Sequence, residues 1–217
     1  MTAEENLRKL LTEKEVLIKE VHHRVKNNLQ IISSLINLQS YSIKDEGMTA
    51  IFKETQGRIL TLSAIHELLY GSDDLSVISM RTIIQNLIGN ISYLTGISER
   101  KISVVYDIQD LAVSMDIAIP VSLIINEVVT NSFKHAFPDR SGTVRIVFNV
   151  FDKKYYSLVI ADDGVGMASS GKTEVSETLG VQLIGALVGQ LNGRYEVITK
   201  GGTEYRFIFP QSADGRG

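Results

Sequence analysis

The first seventy residues contain no proline and only two glycines, Gly47 and Gly57, and that absence constrains the fold more than any motif does. A stretch so free of breakers and so rich in Glu, Lys, Leu, Gln and Ile favours helix. From about Glu4 to Ser42, apolar residues recur at Leu7, Leu11, Ile18, Val21, Val25, Leu29, Ile32 and Ile36. Steps of three, four and seven predict one stripe along a long helix. Lys44-Asp45-Glu46-Gly47 reads as a turn, and a second helix is expected from about Met48 to Tyr70, with Ile51, Ile59, Leu62 and Leu69 among its apolar positions. Two helices joined by a short turn form an antiparallel hairpin. A lone hairpin cannot enclose a two-layer core, so its stripe needs a partner. The expected partner is a second copy, giving a homodimeric four-helix bundle; the alternative is a monomer whose stripe packs on the chain's own second half.

After Tyr70-Gly71-Ser72-Asp73-Asp74 the sequence changes character. A helix is expected over Arg81 to Leu94 and an alternating, β-branched strand over Lys101 to Asp107. Pro120 suits the first turn of another helix, running to Phe137, where Pro138 stops it. Strands follow near Thr143–Phe151 and Tyr155–Ala161. A Gly/Ser-rich loop at Ala168–Gly171 leads to a helix near Glu177–Leu191, then to strands near Arg194–Thr199 and Glu204–Phe209. Antiparallel groups of strands with separate helices predict an α/β sandwich, making the whole chain α+β. The expected division is a dimerisation hairpin at 1–70, a hinge at 71–79, a second domain at 80–211 and a tail at 212–217.

With 217 residues and a formal net charge of −3, the chain has no basic excess to suggest a nucleic-acid surface. Cysteine is absent, which excludes disulfides, thiolate metal sites and a cysteine nucleophile. Apolar runs such as Ile117–Ile125 fall far short of the roughly 18 residues a membrane helix needs. The polar, acidic start is unlike a signal peptide. A soluble, cytoplasmic chain is expected.

Val21-His22-His23-Arg24-Val25-Lys26-Asn27-Asn28 is the most unusual stretch of the first half. At about 100° per residue, His22 lies roughly 40° from the apolar stripe and His23 roughly 140° from it. His23 should therefore face solvent, with Glu20 and Asn27 on the same side. An imidazole with an ordinary pKa of about 6.5 is mostly neutral near pH 7 and has a lone pair for nucleophilic attack. A zinc site does not fit, because adjacent helical histidines diverge and there is no i, i+4 histidine partner.

In the second half, Glu127, Asn131 and Lys134 recur at i, i+4 and i+7 on the Pro120–Phe137 helix, opposite Ile124, Ile125, Val128, Val129 and Phe133. Such a polar face is usually only solvated surface. Three further segments change that reading. Asp162-Asp163-Gly164-Val165-Gly166 follows a strand, and an acid there can accept a hydrogen bond from an adenine amino group while glycines admit close approach. Leu179-Gly180-Val181-Gln182 opens a helix, whose free N–H groups suit phosphate. Gly201-Gly202-Thr203 begins a late strand.

On these motifs the second half resembles the ATP-binding domain shared by sensor histidine kinases, Hsp90 chaperones, DNA gyrase and MutL. The first half resembles the phosphoacceptor hairpin of histidine kinases, in the subfamily reading H-R-V-K-N-N, close to the HWE kinases. The resemblance covers roughly Glu13 to Pro210. It implies that His23 is phosphorylated and that Asn131 holds a Mg²⁺ bridging the ATP phosphates. It also implies that Lys134 contacts phosphate, His135 lies by the nucleotide, and Asp162 binds the adenine amino group. Gly164 and Gly166 would shape the pocket, Gly180 would support the lid between Asp163 and Gly180, and Thr203 would help hold Asp162. The partner implied is the receiver domain of a response regulator, whose aspartate takes the phosphoryl group. The break at Gly71 to Ser79 would be the hinge that lets the ATP domain reach His23.

Several positions depart from the family pattern. Arg24 stands where many histidine kinases have an acid, so Glu20 or Asn27 is expected to bind the second ring nitrogen of His23. Thr178 replaces a glycine of the second glycine box, and the tryptophan motif of strict HWE kinases is missing. Glu127, a water-activating base in the ATPase relatives, would here support metal or help with the histidine proton. No sensor domain precedes Leu7, which implies a trimmed core or a separate sensor. Two rival readings are a phosphotransfer scaffold with a degenerate ATP domain, disfavoured by the intact Asn131, Asp162, Gly164 and Gly166, and an anti-sigma-type serine kinase, disfavoured by the His23 hairpin.

Overall fold

The computed structural model describes residues 3–41, 43, 45–70, 78–95, 97, 101–166 and 179–212. The chain divides into two compact units, Met1–Leu75 and Ser76–Gly217.

The first unit is a helical hairpin of α1 (Ala3–Tyr41) and α2 (Glu46–Tyr70). Asp45 caps α2, its Oδ1 accepting from Met48 N at 2.8 Å, so Glu46 and Gly47 lie inside the helix and not in a turn. The expected single stripe is two faces. Val25, Leu29 and Ile36 are half-buried around the buried Ser33, whereas Leu7, Val21 and Ile32 are exposed. A second row, Leu10, Leu17, Val21, Ile31, Leu35 and Leu38, is also exposed, at 45% or more of its surface throughout. Its steps of seven, four, ten, four and three follow a 3.5-residue period, that of a helix packing on another helix. Lys26 Nζ meets Glu67 Oε1 at 2.5 Å across the hairpin. An exposed pair contributes about 1 kcal/mol at most, so the hairpin is held mainly by its apolar seam.

The second unit opens with β1 (Ile78–Ser79) and α3 (Met80–Thr95), followed by β2 (Ile102–Ile108), β3 (Ala112–Val113) and α4 (Met115–Asn131). A π-turn (Ser132–Ala136) extends α4. Then come β4 (Gly142–Phe151), β5 (Tyr155–Asp162), α5 (Leu179–Gln190), β6 (Arg194–Ile198) and β7 (Thr203–Pro210). Of the expected hinge, 71–77 lies outside the described residues, while Ile78 and Ser79 pair with Val113 and Ala112. The loop at Ala168–Gly171, most of the expected lid, and Thr178 also lie outside them, as does the tail beyond Ser212.

The five-stranded sheet has the order β2-β4-β5-β7-β6. All pairs are antiparallel except β2–β4, which is parallel from Ile102↔Gly142 to Ile108↔Phe148. The parallel pair joins β2 to the expected antiparallel group: α4 intervenes between these strands, and a crossover of that length returns the chain in the same direction. Alternation puts Val144, Ile146 and Phe148, Leu158 and Ile160, and Phe207 and Phe209 on the buried face. There Phe148, Tyr156 and Phe209 stand 5.4 to 6.4 Å apart. Helix α4 packs between α3 and α5, burying Ile117, Val121, Ile124, Ile125, Val128 and Val129.

Helix α4 departs from expectation at both ends. It begins at Met115, so Pro120 is its sixth residue and not part of the first turn. Proline there leaves the Asp116 carbonyl without its usual donor, but Asp116 is exposed and water can serve it. At the far end the α-helix stops at Asn131 and its last turn widens to π geometry before Phe137 and Pro138. The reason lies in what that turn bonds to.

Candidate functional site

Asp162 closes β5 on the same face as Leu158 and Ile160, which sets a carboxylate among core side chains with 8% of its surface exposed. A buried carboxylate needs partners. Oδ1 accepts from Gly164 N and Thr203 N, both at 3.1 Å, and Oδ2 accepts from the Ser132 hydroxyl at 2.8 Å. One side chain therefore ties the end of α4, the turn after β5 and the start of β7. Burial raises the pKa of the neighbouring Tyr205 hydroxyl, with Tyr195 and the Asp162 carboxylate adding to it, so the phenol stays neutral at pH 7.

The following turn is pinned by its neighbours. Asp163 Oδ1 accepts from Thr143 N at 2.8 Å, Asp163 N donates to Thr143 O at 3.2 Å, and Arg140 Nη2 donates to Asp163 O at 3.0 Å. Val165 N donates to Ala136 O at 2.9 Å, across from the π-turn. Gly164 packs so closely on Ala136 that a Cβ would overlap its carbonyl oxygen, which explains glycine there. Gly166 has φ +73° and Gly202 φ +122°. At Gly202 a side chain would also drive into the Asp162 carbonyl oxygen.

The other predicted residues lie on the connected elements. Glu127 is 5% exposed on α4, with Asn126 Nδ2 3.5 Å from its Oε1. Asn131, one turn on and half-buried, ends α4, and its side-chain amide has no partner among the described residues. Lys134 and His135 are exposed on the π-turn. Gly180 is buried as the second residue of α5. In the hairpin unit, His23 lies in α1, but its side chain falls outside the description. Asn27 is exposed one turn further on, and Glu20 Oε1 accepts from Arg24 Nε at 2.8 Å.

Asp162, Gly164 and Thr203 are thus brought into one hydrogen-bond network. Sequence reading missed one of its members, Ser132, and the bonded pair beside it. Ser132 stood inside the N-E-V-V-T-N-S-F-K segment without a role, and the Thr143–Asp163 pair depends on a sheet register that no local pattern reveals. The only available signal for Ser132 was a small hydroxyl directly after Asn131.

A sandwich in which a buried strand-end aspartate is clasped by the preceding helix end and by a glycine–threonine strand start is an ATP-binding domain of the kinase, gyrase and Hsp90 kind. The family descriptions agree with that class in both units. A histidine kinase family profile matches residues 20–95, and one for histidine kinase-, DNA gyrase B- and HSP90-like ATPases matches residues 116–213. The chain belongs to the histidine kinases, of the HWE-like kind. It is 29% identical over 187 residues to the sensor histidine kinase PdtaS of Mycobacterium tuberculosis, covering 84% of this chain and 36% of that one. It is 30% identical over 201 residues to blue-light-activated histidine kinase 2 of Erythrobacter litoralis, covering 88% and 56%. The solved structure of the Erythrobacter litoralis EL346 blue-light-activated histidine kinase superposes with a TM-score of 0.68 at 26% identity, covering 90% of this chain and 59% of that one. The chain therefore spans about a third to just over half the length of these curated relatives. No described helix is long and apolar enough to cross a membrane.

Proposed function

We propose that this chain is the kinase core of a two-component system, phosphorylating His23 from Mg-ATP and passing the phosphoryl group to an aspartate of a receiver domain. The observation that carries the nucleotide half is the Asp162 network, a fixed, buried carboxylate tied to Ser132, the residue after the half-buried Asn131. A carboxylate accepts only, so it selects a base that offers an amino group. Asn131 fits Mg²⁺ because its amide oxygen is uncommitted among the described residues and Mg²⁺ needs few protein ligands. When bound, the ion would neutralise charge on the phosphates. Lys134 and His135, exposed on the next turn, would meet phosphate and nucleotide, and the buried Glu127 would support the metal site or take the histidine proton. Gly164 and Gly166 give the loop its close approach, Gly180, the second residue of α5, would support the lid, and Thr203 holds Asp162. The chemistry asks for positioning and charge stabilisation more than covalent help.

Incubation with Mg²⁺ and γ-labelled ATP is expected to give acid-labile, base-stable label, which an added cognate receiver domain discharges as an acyl phosphate. Absence of label under conditions where ATP binds would overturn the kinase reading. Asp162→Asn keeps the shape but turns an acceptor into a donor. By the worth of a hydrogen bond to a charged group, it is expected to weaken ATP binding about tenfold or more, read by calorimetry.

The exposed row Leu10 to Leu38 supports a homodimer through the hairpin, since so long an apolar stripe on one helix is a partner surface. Light scattering should report a dimer for the unaltered chain and a monomer for Leu35→Glu with Leu38→Glu. A monomeric unaltered chain would refute this assembly.

A further inference from the structure

We propose that Ser132 is a positioning residue for base recognition: its hydroxyl sets the plane of the Asp162 carboxylate, and so the direction in which that carboxylate reads the purine amino group. The inference rests on the reading of Asp162 as the adenine-binding acid and extends it to a residue with no assigned role.

An ionised carboxylate offers about four acceptor sites, two on each oxygen. Gly164 N and Thr203 N take both sites on Oδ1. Ser132 Oγ takes one on Oδ2 at 2.8 Å. A single site therefore remains for a ligand, on Oδ2. Without the hydroxyl, Oδ2 has no donor among the described residues, and the carboxylate can turn about its Cβ–Cγ bond while still serving the two amides. With it, the free lone pair has one direction. The hydroxyl has only one proton, and that proton is committed to Asp162, so the pair faces the base as acceptors alone. An amino group is matched; an oxo group at the same ring position meets no donor.

The backbone is arranged to deliver this contact. Ser132 is buried and begins the π-turn, at whose other end Ala136 O accepts from Val165 N, one residue past Gly164, whose own N donates to Asp162. A π-turn carries residues round by less than an α-turn does, and such turns recur at functional sites. Here the widened turn engages the end of β5 and the loop after it, Ser132 with Asp162 and Ala136 with Val165. Asn131, immediately before it, remains on the regular helix.

The test is calorimetric titration of Mg-ATP and of the Mg complex of purine riboside triphosphate, which has hydrogen in place of the 6-amino group. The unaltered chain is expected to prefer ATP by about tenfold, the worth of one hydrogen bond to a charged acceptor. In Ser132→Ala that preference should fall below about threefold, while affinity for the analogue changes little, because the aim of the carboxylate is lost but the pocket is kept. Ser132→Thr, which retains a hydroxyl, should keep the preference. If Ser132→Ala weakens both ligands equally, or leaves the full preference for ATP, the proposal fails and the Asp162 reading stands. If Asp162→Asn itself keeps the preference, the base reading fails and this inference with it.

Discussion

His23→Gln is expected to reduce acid-labile labelling from γ-labelled ATP to background, whereas His22→Gln should keep much of it. Helix α1 runs unbroken from Ala3 to Tyr41 through both histidines. On a regular helix adjacent side chains diverge by about 100°, so one ATP domain approaching from one direction can be served by only one of the two. Glutamine has no ring nitrogen, so the acceptor of the phosphoryl group is removed and not merely weakened. The residues around it set the second part of this prediction. Glu20, one of two residues expected to orient the ring, accepts from Arg24 at 2.8 Å, while Asn27 is exposed one turn beyond His23. Asn27→Ala should therefore slow labelling more than Glu20→Gln does. Initial rates for the four variants, with folding checked by circular dichroism, decide the assignment. Undiminished label on the His23 variant would refute it.

The difference between what could and could not be read in advance follows the range of the forces involved. Helix and strand positions were legible because they rest on local period: the strand expected near Tyr155–Ala161 runs Tyr155–Asp162, and the helix expected at Arg81–Leu94 runs Met80–Thr95. The motif residues Asp162, Gly164 and Thr203 were legible as a set, and they share one network. The two faces of α1 were not. A row with a 3.6-residue period and one with a 3.5-residue period diverge by only about 20° per heptad, so spacing alone does not say which apolar residues meet α2 and which remain outside. Pro120 misled because proline marks the first turn statistically, and burial of the rest of α4 outweighs one lost backbone bond. The parallel pairing of β2 with β4 and the π-turn depend on contacts between residues 30 or more apart, such as Ser132 with Asp162. No local window contains them.

Gly202→Ala is expected to be the most damaging single-methyl change in the ATP-binding unit. Two independent effects meet there. Its φ of +122° lies where essentially only glycine is at ease, and strain of that kind is about 1–3 kcal/mol. The added Cβ would also overlap the Asp162 carbonyl oxygen and crowd Asp163, which is backbone and cannot swing aside as a side chain could. Relief requires β7 to part from β5 at the pair Asp162↔Thr203, and that pair carries the Thr203 N bond to Asp162. A loss of about 3 kcal/mol or more should follow, roughly 10 °C in melting temperature for a domain of this size. ATP binding should fall with it, since the carboxylate proposed to read the base loses a donor. The neighbouring Gly201 separates the two effects. Its φ is +77°, but nothing lies within 4 Å of the position a Cβ would take. Gly201→Ala should therefore lower stability by only about 1 kcal/mol and leave ATP affinity intact. Thermal denaturation and nucleotide titration of the two variants side by side make the comparison. A Gly202 variant that melts and binds like the unaltered chain would mean that the loop after β5 does not hold the shape on which the nucleotide reading depends.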